Sequence, residues 1–482
     1  MINNLQQLKK YFFVLKEPVI GFGNTAFTRT GPAFLLPNYK IICIKETSDT
    51  EAIRQRCQVI SLEKDLNCGP LKRHNTSAIL HELQVQAYLK KLKGFWALVY
   101  RSSGRIEQTL KELSDDLLVN SSLVASPFED KKEFRRLAVQ AGLSILPGET
   151  IWIDSLDQDK YDMLQRQYGE RLVFQLTDYK VGGGIGTVFI DHKNDFREFL
   201  EFVARRRKRG KKLAWVNVTP LVEGISASIT GMITHKGVLA GPLQLQLIDV
   251  PEVTAFYGRN GVFCGHDWQT QRFDIFFQKQ AEELVTKLGI FMAKKSYKGI
   301  FGLDVVVDEK KGRVIPIECN ARYTGAFPAY SMLQTEADEP NFDLFQLAEF
   351  MGIAYDFDFN QVQHQYRKSK VGSQLILHNQ TRKWIRINGH LKAGVYEFKQ
   401  GRLNWLRPGF AMQDIKDKEK EFVLTDGIVN CGQVFKPGER MGRLMFKRSI
   451  AQNHHQIKEN EKEIVKAIYQ GYQIEEIENQ EN

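Results

Sequence analysis

Three features of the sequence predict a mixed α/β chain built from successive units. Residues 1 to about 125 alternate short apolar runs with helical stretches. A hairpin bearing carboxylates, an amide and a guanidinium between apolar flanks spans residues 302–322. From about residue 361 the pattern turns β-rich, with Asn, Gly and Lys between the runs. Strands alternating with helices indicate a parallel sheet, whereas closely spaced strands with turn residues between them indicate antiparallel pairing. A chain of 482 residues can build three or so sizeable cores, and its hydrophobic and charged fractions of 43% and 26% exclude a disordered polymer.

The first unit opens with Pro18-Val-Ile-Gly21-Phe-Gly23 and continues with apolar runs at Tyr39–Ile44 and Phe95–Tyr100. Gly21-x-Gly23 lacks the rest of a G-x-G-x-x-G pattern, and no acidic residue is placed for a ribose. It therefore reads as a tight strand-to-loop turn rather than a dinucleotide site.

The hairpin is the most informative stretch. Gly302-Leu-Asp304-Val-Val-Val-Asp308 and Arg313-Val-Ile-Pro-Ile-Glu318-Cys-Asn320 have strand composition, and Gly312 lies in the short charged connection between them. If the hairpin closes symmetrically about Lys311, Asp304 sits opposite Glu318, and the period of two puts Asn320 on the same face. Opposed carboxylates repel and are expensive to bury among Val and Ile, so a cation should lie between them. Hard oxygen donors suit Mg²⁺ or Mn²⁺, and magnesium takes one or two protein carboxylates while leaving positions for phosphates. The competing reading is a solvated edge hairpin with its carboxylates in water; the apolar flanks weigh against it.

Gly302-x-Asp304 followed by Glu318-x-Asn320-x-Arg322 resembles the closing signature of the ATP-grasp superfamily, which includes biotin carboxylase, D-alanine:D-alanine ligase and many carboxylate-amine ligases. Further parts of that pattern are found upstream. The segment from Ser126 to Gly148 resembles the opening of an ATP-grasp domain, where a lysine at a helix start reaches the ATP phosphates. Lys131 is the matching position, with Lys132 as a substitute one residue on. Leu172–Ile190, with Gly182, Gly183, Gly184 and Gly186, resembles the phosphate-covering flap. Glycines there let backbone N–H groups approach phosphate oxygens and permit lid motion. The strand before the flap departs from the family, carrying Gln175 where a second ATP-binding lysine is usual, so Lys180 or another cation is expected to compensate. Ala214–Thr230 resembles the adenine-contacting hinge strand. Val218, Thr219 and Leu221 are the hinge residues, and Glu223 corresponds to the acidic residue near the ribose. The ordered likeness covers about residues 126–325.

The resemblance implies an α+β ATP-grasp domain over residues 126–360, with a lid at about 150–215. A Rossmann-like domain (1–125) precedes it and a β-rich domain (361–482) follows. It further implies ATP and Mg²⁺ (or Mn²⁺) as cofactors. Asp304, Glu318 and Asn320 would be the metal ligands, Lys131 would sit on the phosphates, and Arg322 would hold the acyl phosphate or the transferring group. The implied reaction is ligation: a small-molecule carboxylate is phosphorylated, and an amine attacks the acyl phosphate to give an amide, ADP and phosphate. A homodimer is compatible with this reading. Two rivals stand beside it. One is a bicarbonate-using carboxylase, weakened by the absence of a Met-Lys-Met biotin-attachment sequence. The other is a non-catalytic nucleotide- or RNA-binding protein on a degenerate grasp, motivated by Gln175 and by the basic run Arg205–Lys212. That run lacks the aromatic residues that stack on bases, so it reads first as a solvated lid face, and nucleic acid is not the expected partner.

The remaining composition narrows the class. A formal charge of +10 favours anionic partners, and a nucleoside triphosphate meets that description. Six cysteines without C-x-x-C spacing do not form a disulfide framework. No run of ~18 apolar residues appears and the first residues show no signal-peptide core, so a cytoplasmic protein without a membrane partner is expected. The ten histidines form no H-E-x-x-H, and no G-x-S-x-G elbow is present. Near the end, Gln456–Tyr472 shows helical spacing, with Ile457, Ile464, Val465 and Ile468 on one face.

Overall fold

Val19–Gly23, Tyr39–Cys43, Gln58–Ser61 and Trp96–Leu98 pair in parallel, in the spatial order 58–61, 39–43, 19–23, 96–98. In this computed structural model the described residues are 1–66, 68, 74–113, 117–178, 186–254, 261–269, 272–368, 370–427 and 431–478. Side chains alternate across the N-terminal sheet. Ile20, Phe22, Ile42 and Ile60 enter one core with the helices of this unit, while Val19, Tyr39, Ile41 and Val59 enter another. Burial on both faces is what near-continuous apolar runs require of a parallel sheet. The second core includes Tyr330, Phe342 and Phe345, so the N-terminal unit is fastened to the middle of the chain by aromatic packing.

Residues 149–220 build a small antiparallel sheet in the order Glu149–Trp152, Trp215–Pro220, Leu172–Leu176, Thr187–Ile190, covered by helices Gln158–Tyr168 and Lys193–Lys208. It has its own core, drawn from Ile151 through Val218. The basic run is used locally. Its helix stops at Lys208, before Gly210 in a left-handed conformation, so Lys211 and Lys212 lie beyond it. Arg207 pairs with Asp154 at 2.5 Å and donates to the Leu213 carbonyl at 2.9 Å, and Arg206 lies over the Phe202 ring. Cations in a last helical turn also face the negative end of the helix dipole.

The rest of the chain is organised by one 11-stranded sheet. Arg313–Asn320, Gly299–Asp308, Ile225–Thr234, Gln244–Ile248 and Phe263–Asp267 form one half, with Gly237–Ala240 beside Ile225–Thr234. Ser373–His378, Arg440–Phe446, Glu421–Thr425, Gly394–Lys399 and Arg402–Arg407 form the other. The two halves join where Phe263–Asp267 pairs with Ser373–His378. A Cβ at Gly265 would lie 2.0 Å from the Gln374 carbonyl oxygen, so this seam requires a glycine. The β-rich region after residue 360 thus continues the sheet of the middle region. Helix Ile275–Ala293 covers that sheet with Ala281, Val285, Leu288 and Met292. The last helix is Glu459–Tyr472 and buries Ile464, Val465 and Ile468, whereas Ile457 precedes it in a two-residue strand. No helix among the described residues is long and apolar enough to cross a membrane.

Candidate active site

Between the small sheet and the large one lies a cleft of about 1060 Å³. Its floor is the hairpin Gly299–Asp308/Arg313–Asn320, whose register differs from simple closure about Lys311. Asp308 pairs with Arg313 and Val305 with Pro316, so an unbroken ladder would put Asp304 opposite Ile317. One extra residue, Ile317, bulges between the ladders, and Asp304 consequently faces Glu318. Asn320 closes the trio by donating Nδ2 to Asp304 Oδ2 at 3.1 Å. Gln246, from the strand Gln244–Ile248, donates to the other Asp304 oxygen at 2.8 Å.

Lys131 reaches this trio from across the cleft. Asp130 caps helix Lys131–Gln140, accepting from the Lys132 and Glu133 amides, which sets Lys131 at the first helical position. Its Nζ lies 3.2 Å from Glu318 Oε2. Lys132 turns away, its Nζ 4.0 Å from the Trp215 ring centroid. Gln175 does not leave a gap where a lysine was expected: its Nε2 donates to the same Glu318 oxygen at 3.2 Å. Asn217 opposes Gln175 in the small sheet and donates to the Lys131 carbonyl at 2.9 Å, tying lid to helix.

The other expected residues divide. Gly186 accepts from the Leu176 amide at the start of the returning strand, whereas Lys180, Gly182, Gly183 and Gly184 lie outside the described residues. Thr219, Leu221 and Glu223 line the cleft. Val218 instead buries its side chain in the core of the small sheet, flanked by Glu149 and Phe174 on its neighbouring strands. Glu223 is exposed and pairs with Arg171 and Lys310, each at 3.0 Å; these cations hold its carboxyl below the usual range.

Arg322 reaches the cleft by a route the periodicity does not contain. The strand stops at Asn320 and the chain turns, the Arg322 amide donating to the Asn320 carbonyl at 2.8 Å, so alternation along a continuing strand is not what aims the side chain. Long-range partners aim it instead. Its Nε meets Glu129 at 2.9 Å and its Nη1 donates to the Tyr100 hydroxyl at 3.2 Å. Arg101 occupies the other Glu129 oxygen at 2.8 Å. Gln246, Glu129, Tyr100 and Asn217 are the residues that sequence reasoning missed. A polar residue recurring at alternate positions of an apolar strand, as in Gln244-x-Gln246, was the available signal for one of them.

Asp304 bears the electrostatic cost of this arrangement. Burial, and then the Glu318 carboxylate opposite, push its carboxyl from the ordinary 3.8 up to about 7. Its folded value thus exceeds its unfolded one, and the stability that the neutral acid retains below about pH 4 is lost as pH rises to 7. Asp304→Asn is accordingly expected to raise the melting temperature of the nucleotide-free protein by about 2 °C at pH 8. The gain should shrink as pH falls from 7 towards 4; an equal gain at both ends of that range would contradict the opposed-carboxylate geometry.

Two carboxylates and one amide are a donor set that suits a hard divalent ion whose remaining positions go to phosphate and water. The opposed Asp304–Glu318 pair, met by Lys131 only at Glu318, fits a cation of that kind. Among the described residues no group of three or more His, Cys, Asp or Glu side chains converges as a metal cage.

No family model and no curated protein matches this chain. Solved structures do. The biotin carboxylase domain of 2-oxoglutarate carboxylase from Hydrogenobacter thermophilus, solved with MgADP, ADP and bicarbonate, is similar over 89% of this chain and 85% of its own, with TM-score 0.57 and 11% identity. N5-carboxyaminoimidazole synthetase from Staphylococcus aureus, solved with ADP, is similar over 95% and 97%, with TM-score 0.52 and 12% identity. Phosphoribosylamine–glycine ligase from Thermotoga maritima is similar over 95% and 97%, with TM-score 0.53 and 14% identity. At such identities the likeness is one of fold.

Proposed function

We infer that this chain, which has the ATP-grasp fold, is an ATP-dependent ligase that activates a carboxylate as an acyl phosphate for attack by an amine. The observation that carries the reading is the Asp304–Glu318 opposition, closed by Asn320 and met from across the cleft by Lys131. Neighbours of this fold were solved with ADP or MgADP, which supports ATP as the nucleotide here.

In this reading ATP lies between the small sheet and the large one, with its phosphates at Lys131 and Gln175. Asp304, Glu318 and Asn320 would hold Mg²⁺ or Mn²⁺, which when bound supplies charge neutralisation at the β- and γ-phosphates. Thr219, Leu221 and Glu223 line the nucleoside end. Arg322 orients the substrate carboxylate for attack on the γ-phosphorus and then holds the acyl phosphate by its planar fork. Phosphoryl transfer needs positioning and charge compensation rather than a protein nucleophile, which explains a site made of ligands and cations.

The test is ADP and phosphate release from purified protein, with Mg²⁺ and a panel of small carboxylates, bicarbonate included, crossed with amines. Release that requires the metal, one carboxylate and one amine is expected. Release with bicarbonate and no amine substrate moves the protein to the carboxylase reading, and no release with any pair removes the ligase reading.

Gln175 provides a second test. A lysine there would add a cation at the phosphate end, on the Glu318 oxygen that Lys131 already meets. Gln175→Lys is expected to tighten ADP binding about tenfold, a charge-assisted hydrogen bond replacing a neutral one. Unchanged affinity in a calorimetric titration would take Gln175 off the phosphates.

A further inference from the structure

On the wall of the cleft near Tyr100, two arginines of the C-terminal half face the cavity. Arg440 and Arg443 lie on the strand Arg440–Phe446, beside Ser373–His378 in the large sheet. Residues three apart on a regular strand point to opposite faces. Here Arg443 pairs with Ile376 and Arg440 with His378, because Met441 is an extra residue bulged out of the ladder. The bulge puts both arginines on one face, the one that Ile376 presents to the cleft.

Both guanidiniums converge on a single carboxylate oxygen. Arg443 Nε lies 3.1 Å from Asp426 Oδ2, and Arg440 Nη2 meets the same atom. The other Asp426 oxygen accepts from Thr25 at 3.2 Å. The next carboxylate, Asp49, turns its oxygens to Thr47, Thr425 and the Asp426 amide; burial pushes its carboxyl up, and it acts on Arg440 only at longer range. His266 adds no charge, since burial and Arg443 hold it neutral. At contact distance the two guanidiniums thus share one carboxylate oxygen. Arg443 is 2% exposed and is held further by Gln374, which makes it the inner member. Arg440 is 34% exposed, and its Nε makes no hydrogen bond among the described residues.

The same arrangement recurs at the reacting end, where Arg322 and Arg101 share Glu129. The cleft therefore carries two arginine pairs, each sharing one carboxylate at contact distance, with Tyr100 neighbouring both. A substrate with only the carboxylate to be activated satisfies one of them. At the other, a second anionic group would give the buried Arg440 Nε the hydrogen-bond partner it lacks among the described residues.

We propose that the acid substrate carries a second anionic group, a carboxylate or a phosphate, which Arg440 binds while the first is activated at Arg322. This rests on the ligase reading above and narrows its substrate class to acids that are at least dianionic.

The experiment is calorimetric titration of the full chain with linear dicarboxylates from succinate to pimelate, with ω-phosphonocarboxylates of matching length, and with the corresponding monocarboxylates, all at fixed ionic strength. At least one dianion is expected to bind wild-type protein about tenfold more tightly than its monoanionic match, the ratio one charge-assisted contact supplies. Arg440→Met should erase that preference and Arg440→Lys should keep most of it. The series that binds better assigns the carboxylate or the phosphate. Equal binding of every dianion and its match by wild-type protein overturns the proposal, as does a preference that survives Arg440→Met. MgADP titrated into the same wild-type samples separates the two readings. Dianion preference without MgADP binding would sink the ligase reading and leave this subsite standing. MgADP binding without dianion preference would do the reverse.

Discussion

Glu318→Gln is expected to lower ATP turnover by about 10³-fold, the upper range for removal of one preorganised electrostatic contact at a transition state. The replacement keeps shape and removes charge, which isolates the role assigned to the carboxylate. In the structure Glu318 Oε2 is the common acceptor of Lys131 Nζ and Gln175 Nε2, so it links the helix start, the lid strand and the hairpin at one point. It also opposes Asp304, and repulsion across that pair disappears when one member becomes neutral. Turnover and stability should therefore move in opposite directions: activity falls while the melting temperature of the nucleotide-free variant holds or rises. Asn320→Ala is expected to follow the same course in activity, having lost its hydrogen bond to Asp304. Measured by coupled ADP release beside thermal unfolding, a normal rate in both variants would remove the hairpin from the active site.

Arg322→Met should cost roughly 10²-fold or more in kcat with little change in the KM for ATP, because the side chain is assigned to the acyl group and not to the nucleotide. The fold tolerates the change for an identifiable reason. Arg322 is paired with the largely buried Glu129, and stripping a buried carboxylate of its partner commonly costs 3–5 kcal/mol. Here Arg101 remains on Glu129 at 2.8 Å, so the carboxylate is not orphaned. Arg322→Lys should recover little activity, since an ammonium cannot meet Glu129 and the Tyr100 hydroxyl while presenting a fork to substrate. A KM for ATP that rises in step with the fall in kcat would move Arg322 to the nucleotide.

The legible part of the site was local. Asp304, Glu318 and Asn320 share a face because alternation along two short strands dictates it, and Lys131 is set by an Asp cap one residue before it. Even there the outcome depended on a feature that spacing does not announce. The turn is centred off Lys311, and the Ile317 bulge restores the pairing that symmetric closure predicted. At Arg440 and Arg443 the same device works in reverse, gathering side chains that alternation alone would separate. A bulge is a response to twist and to the neighbouring strand, so one strand's own pattern cannot place it.

What the sequence by itself determined is the chemistry on offer: a parallel N-terminal sheet, a hairpin carrying two carboxylates and an amide, a lysine at a helix start, and glutamine where a second lysine is usual. The first two follow from periodicity and composition, which act over a few residues; the lysine and the glutamine were read from the resemblance to the ATP-grasp pattern. Only the tertiary structure decided that Glu129 and Tyr100 aim Arg322, that Gln246 supports Asp304, and that two arginines more than a hundred residues beyond the hairpin wall the same cleft. It also decided that the β-rich C-terminal region extends the central sheet through the seam at Gly265. The physical reason is that such contacts are selected by packing and by the pairing of buried charge across long loops, and neither leaves a short-range imprint on the residues that make them.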